Sequence, residues 1–220
     1  MKSFDPLKEM YSIVVVGNMN PMIHHPKWYQ SYDLLSPSEC DESLKDSETF
    51  ILHRLAQFTI PAFTITCEIG KWQIRTDNVS ERERILQVAK RVFGHDLLYH
   101  TPVASFGLNC DYEVNSNMPN IGEILAQKVS TVGLEAELDG NCTSSMTFRC
   151  QQESRIINIT VRPVPAVSSA VHVGSNTHYT IQGPGVQFDL GVLLDQHFQL
   201  DYDAAYARTY RIIASLQGEE

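Results

Sequence analysis

The sequence has no run of 18 apolar residues, no Cys-x-x-Cys pair, no basic patch and none of the glycine-framed or His-Glu spacings that mark common cofactor and hydrolase sites. Each absence removes a class of protein. Without the long apolar run, a membrane-spanning helix is not expected. The opening MKSFDPLKEM carries charges and an Asp5-Pro6 step where a secretory segment would need unbroken apolar residues, so the expected location is cytoplasmic. Five cysteines, an odd number without metal-ligand spacing, predict neither a disulfide framework nor a zinc site. Cys67, Cys110 and Cys150 sit in alternating patterns and are expected as small buried side chains.

Charge is scarce on the basic side, with 17 Lys and Arg against 26 Asp and Glu, a formal net charge of -9. Such a chain repels a phosphate backbone or an anionic lipid surface unless cations cluster locally. The densest group, Arg82, Arg84, Lys90 and Arg91, is interleaved with Glu81 and Glu83. Direct nucleic-acid binding and membrane binding are therefore not expected. G-x-S-x-G, Walker A and G-x-G-x-x-G are all missing, Gly183-Pro184-Gly185 has only the composition of a turn, and no cofactor is expected.

What is present is ordinary globular chemistry: 220 residues, 43% hydrophobic and 20% charged, enough for a core without staples. YSIVVVG (11–17) predicts a buried strand. AFTITCEI alternates, with Phe63, Ile65, Cys67 and Ile69 on one face and Thr64, Thr66 and Glu68 on the other, between ILHRLAQFTI and WQIRT. That pattern predicts an antiparallel meander with one apolar and one polar face. Ser80 with Glu83 predicts a capping box ahead of Ile85, Val88, Ala89, Val92 and Phe93, with Gly94 as the stop. VASFGLNCDYEV predicts a long half-buried strand carrying Phe106, Leu108, Cys110, Tyr112 and Val114 inward.

Asn120 with Glu123 predicts a further helix, followed by strands near LEAEL, SMTFRCQ, RIINITVRP and HYTIQ. Two C-terminal helices are expected, one through Leu190 to Phe198 and another from about Asp203. These elements predict an α+β fold, a mostly antiparallel sheet with helices packed on one face. A single domain over 1–220 is expected, with a degenerate duplication suggested between halves 1–116 and 117–220.

The stretch NMNPMIHHPKWYQSY (18–32) holds two adjacent histidines, His24 and His25, before an aromatic group. Adjacent side chains diverge on a regular element, so these histidines are expected to open a helix at Pro26 rather than to share a metal. His95-Asp96 and His100 flank the passage from the strongest helix into the longest strand, where polar residues also serve to end a helix. His172 and His178 have the same parity, but Gly174-Ser175 is expected to interrupt that strand. Asp195 and His197 stand two apart on a helix and face differently.

At HTPVASFGLN, with the preceding amphipathic helix and the upstream KWQIRT strand, the chain resembles sporadically distributed, uncharacterised bacterial and phage-associated proteins. The likeness covers the middle third. It implies an α+β fold and an accessory role near mobile elements or phage defence, and it implies no catalytic residue.

The function expected is a noncatalytic interaction or assembly protein, an accessory subunit of a prokaryotic or viral complex with a protein partner. Its candidate contact residues are Met22, Trp28 and Tyr29 on the aromatic loop, and the isolated guanidinium groups of Arg75 and Arg162. The rival expectations are an enzyme built on His24, His25, His95, Asp96 and His100, and a small-ligand domain using the polar sheet face.

Overall fold

The computed structural model describes residues 5–94, 97–98, 100–116, 118–129, 144–181 and 189–217. Its elements run β1 (Pro6–Gly17), α1 (Pro26–Ser31), α2 (Pro37–Lys45), β2 (Phe50–Ile51), β3 (Leu55–Ile60), β4 (Phe63–Glu68), β5 (Lys71–Thr76) and α3 (Arg82–Phe93). There follow β6 (Val103–Asn115), α4 (Ile121–Val129), β7 (Met146–Gln152), β8 (Arg155–Val164), β9 (Val167–Thr180) and α5 (Leu190–Gln217). The strands form an antiparallel open sheet in the order β2-β3-β4-β5-β1-β6-β9-β8-β7. The fold is α+β as the alternation predicts. Among the described residues no helix is long and apolar enough to cross a membrane.

The element order repeats. A strand, helical segment, antiparallel strands and a helix appear from β1 to α3 and again from β6 to α5. Within the sheet order, β3-β4-β5-β1 is mirrored by β7-β8-β9-β6.

Contacts divide the chain into two compact units, Met10–Asn109 with His178–Leu200, and Met1–Glu9 with Cys110–Thr177 and Asp201–Glu220. In the first of these, pairing registers set up the apolar face. Ala56, Cys67, Trp72 and Val15 align across β3, β4, β5 and β1, beside a second row of Phe58, Ile65, Ile74 and Ile13. All eight are buried. Full burial of the Val, Ile and Phe side chains among them contributes about 1.5–3 kcal/mol each. Ile85, Val88, Ala89, Val92 and Phe93 of α3 are buried too, with the Phe93 ring 5.0 Å from that of Trp72. The opposite face carries Thr64 across from Arg75 and Thr66 across from Gln73. Ile69 leaves the apolar row: it follows the last residue of β4 and is exposed.

The start of α3 differs from the capping box expected at Ser80. Asn78 accepts from the Ser80 backbone N–H and heads a short 3-10 turn, Val79–Glu81, so Glu81 becomes the residue before α3 and makes no side-chain cap. Asn is as good an acceptor as Ser at such a position and stands two residues earlier. Gly94 ends the helix: a Cβ there would lie 2.4 Å from the Lys90 carbonyl oxygen, which accepts from the Gly94 N–H.

The second unit buries Cys110, Tyr112 and Val114 of β6, Val171 and Val173 of β9, and Ile157 and Val161 of β8. Ile121 and Leu125 of α4 and Tyr202, Ala205, Ile213 and Leu216 of α5 are buried as well. Two expectations are corrected. The C-terminal segment is one helix of 28 residues, because nothing near Leu200 to Asp203 breaks it and Asp201 is buried against Arg155, 3.4 Å away. β9 runs unbroken through Gly174-Ser175, so His172, Asn176 and His178 share one face while Val171, Val173, Ser175 and Thr177 are buried on the other. The LEAEL segment and Gly183-Pro184-Gly185 lie outside the described residues.

Candidate functional site

The double histidine resolves into two structural roles. His25 precedes α1 and its Nδ1 accepts from the Lys27 backbone N–H at 3.0 Å, with Pro26 in the first turn. His24, 1% exposed, points inward, its Nδ1 2.7 Å from the Tyr29 hydroxyl. That hydroxyl also accepts from the Trp72 indole N–H at 3.0 Å. Indole donates only, so the Tyr29 oxygen accepts there; with the imidazole proton on Nε2, His24 Nδ1 accepts the Tyr29 proton and no hydroxyl proton is left buried without an acceptor. Burial holds the His24 pKa down at about 4 and pushes that of Tyr29 well above its usual value. Both groups are therefore neutral at pH 7.

Rings close this network on all sides: Trp28 is 4.9 Å from Tyr29 and 5.1 Å from Tyr32, and Phe58 is 5.2 Å from Tyr29. Tyr29 itself is 0% exposed, so of the loop residues expected at a contact surface it belongs to the core. Met22 is exposed and Trp28 half-buried. His100 is exposed on the turn before β6. His95 and Asp96 lie outside the described residues. Among the described residues no group of three or more His, Cys, Asp or Glu side chains is arranged to hold a metal ion.

Next to this loop, Ser36 and Glu39 form a capping box at the head of α2, a signal present in the sequence as Ser-x-x-Glu. Glu39 also takes a two-pronged ion pair from Arg84 of α3, at 2.7 and 2.9 Å. The Arg84 hydrogen bonds, helped by Ser36, hold the Glu39 carboxyl down at about 2. Replacing Glu39 with Gln is expected to cost about 1 kcal/mol, discounted for solvent screening of a half-buried pair. The parent's share of that stability is present above pH 4.5 and lost as pH falls toward 2. Urea unfolding of parent and variant at pH 7 and pH 3 measures both. An equal gap at the two pH values would contradict the assignment.

The polar face of the sheet holds one pair with chemical character. His172 Nε2 lies 3.3 Å from Asp111 Oδ1, both half-buried. Gly174 makes room for them: a Cβ there would stand 2.7 Å from Asp111 Oδ1 and 3.2 Å from His172 Nε2. On the same face Asn158 donates to Asn176 at 3.2 Å. The assumed break at Gly174 conceals this arrangement in the sequence. Elsewhere, His197 stacks on Tyr179, with ring centroids 4.4 Å apart, and Asp195 pairs with Lys90 at 2.7 Å, so neither belongs to a shared site.

Arg75 is exposed between Thr64 of β4 and Ser12 of β1, on the polar face. Arg162 is exposed near the end of β8, where it joins Asn120, Glu123, Pro163, Pro165 and Ser168 around a cavity of about 460 Å³. Burial pushes the Cys67 thiol up to about 12, an inert group. Cys150 departs from the expectation of burial, because it lies exposed on β7.

β7 is the least covered element described. Residues 147–152 are all exposed, Met146 is half-buried, and Phe148 is 53% exposed. Among the described residues its strand neighbour is β8 alone, with Phe148 opposite Ile159 and Cys150 opposite Ile157. The other border of the sheet, β2, is two residues long. In a search of known families and curated proteins, no family model and no curated protein matches this chain.

Proposed function

We propose that the chain is a noncatalytic interaction or assembly protein, an accessory subunit of a larger prokaryotic or viral complex, working in the cytoplasm. The observation that carries this reading is β7: among the described residues a seven-residue border strand without Pro or Gly, with Arg149 its one charge, exposed from Thr147 to Gln152. Natural sheets blunt such borders by shortening, charging or covering them, because unpaired N–H and C=O groups recruit another strand. Strand addition to an open border is a recurrent mode of protein recognition. The opening loop supports the same reading, since both of its histidines are engaged in capping and core packing. The resemblance around HTPVASFGLN supports the setting near mobile elements or phage defence.

The test is the size of the native particle. The tagged chain, isolated gently from its source cells, is expected to migrate in a stoichiometric complex that a β7 substitution, Phe148→Lys, dissolves. A native chain running as a lone monomer would contradict the reading. The Asp111–His172 pair favours a second reading, acid-base chemistry or small-ligand binding on the polar face. Under that reading His172→Gln abolishes a turnover or ligand signal while the native particle keeps its size.

A further inference from the structure

We propose that the occupant of β7 is the β7 of a second copy of this chain, running antiparallel, with Phe148 of each copy opposite Phe148 of the other. This inference rests on the assembly reading above and gives that reading its partner.

The apolar rows of the core lead to this border. On the core-facing side of β8, Val161 and Ile157 are buried, with Ile159 half-buried between them. Their ladder partners on β7 are Met146, Cys150 and Phe148. The rows therefore run outward from covered residues to a half-exposed phenylalanine, and a further strand would continue them.

The pattern of β7 selects its own register. Residues directly opposite on an antiparallel ladder point to the same face, so a two-fold axis perpendicular to the sheet passes through a residue. An axis at Arg149 sets guanidinium against guanidinium, which is unfavourable. With the axis at Cys150, Phe148 faces Gln152, and with the axis at Thr147, Cys150 faces Ser144. An axis at Phe148 pairs Met146 with Cys150 on both sides of a Phe148–Phe148 contact, and sets Thr147 opposite Arg149. All apolar side chains of the strand then meet apolar side chains, and the two arginines are kept apart. A patch complementary to itself in this way suits a closed two-fold dimer. The net charge of -9 on each copy opposes association, so added salt strengthens it.

Sedimentation velocity of the full-length chain across a wide concentration range tests the pairing, with Phe148→Lys as the variant. A dimer that tightens with salt and is lost in Phe148→Lys is expected. The register has its own test, which does not depend on that variant folding. In a Cys142→Ser background, a short bismaleimide is expected to link copies of the Met146→Cys variant through residues 146 and 150, and to leave the background protein unlinked. Cys40, Cys67 and Cys110 are buried and stay silent. A monomer at every concentration, a dimer untouched by Phe148→Lys, or linkage through Cys150 alone would overturn the proposal. If the chain is monomeric but the native particle still dissolves in Phe148→Lys, self-pairing fails and the assembly reading stands. If copies pair as described while the native chain is found only as that dimer, the pairing stands and the accessory-subunit reading fails.

Discussion

Lowering the pH from 6.5 to 4 is expected to remove about 3 kcal/mol of folding stability through His24 alone. The folded pKa is about 4, below the ordinary 6.5, because burial disfavours the imidazolium. Between these values the unfolded chain binds a proton that the folded chain refuses, so stability falls as pH falls. Above pH 6.5 the contribution is constant, and below 4 both states are protonated and the slope ends. Urea titrations followed by circular dichroism at pH 7, 5.5 and 4 measure the loss. His24→Asn keeps an acceptor near the position of Nδ1 and does not titrate, so its stability curve is expected to be flatter by that amount. Parallel curves for parent and variant would show that His24 is not the buried neutral group described.

Removing a single oxygen from the same network should have an effect of similar size. Tyr29→Phe preserves the ring contacts with Trp28 and Phe58 but deletes the hydroxyl that serves both His24 and Trp72. Two buried polar atoms lose their partners, and each orphaned group costs about 1–3 kcal/mol. The variant is expected to lose about 3 kcal/mol at pH 7. If His24→Asn and Tyr29→Phe act through one network, the double variant costs less than the sum of the two. Strict additivity would separate the two residues. Chemical denaturation of the four proteins of this cycle gives the answer directly.

Much of the sheet was legible because alternation with period two survives wherever one face is buried. Phe63, Ile65 and Cys67, and the run from Phe106 to Val114, point as their spacing requires. The stripe on α3 was legible for the corresponding helical reason. Boundaries were less so, since they turn on single hydrogen bonds: Asn78 replaces Ser80 as the acceptor, and Ile69 falls just beyond the end of β4. The continuity of β9 and α5 depends on partners distant in sequence. Asp111 and His172 flank Gly174 and give it a use inside a strand. Arg155 meets Asp201 where a break between helices was expected.

The candidate surfaces were harder to read. MTFRCQ has the same alternation whether it sits in the middle of a sheet or on its border, so the exposure of Phe148 and Cys150 follows from strand order alone. Trp72 reaches Tyr29 across 43 positions of sequence, and no local pattern announces that bond. The adjacent histidines were legible in role, as the entrance to a helix packed by aromatic rings. Which of the two turns inward was not, because both precede Pro26 in the same irregular segment.

We propose recognition through the open strand β7, while the opening-loop histidines cap a helix and pack in the core. Hydrogen exchange of the chain within its native particle, compared with the isolated chain at low concentration, tests that division most directly. Protection gained across Met146–Gln152, with residues 18–32 unchanged, is the predicted result. Protection gained around His24 and His25, with β7 exchanging as freely as before, would contradict it.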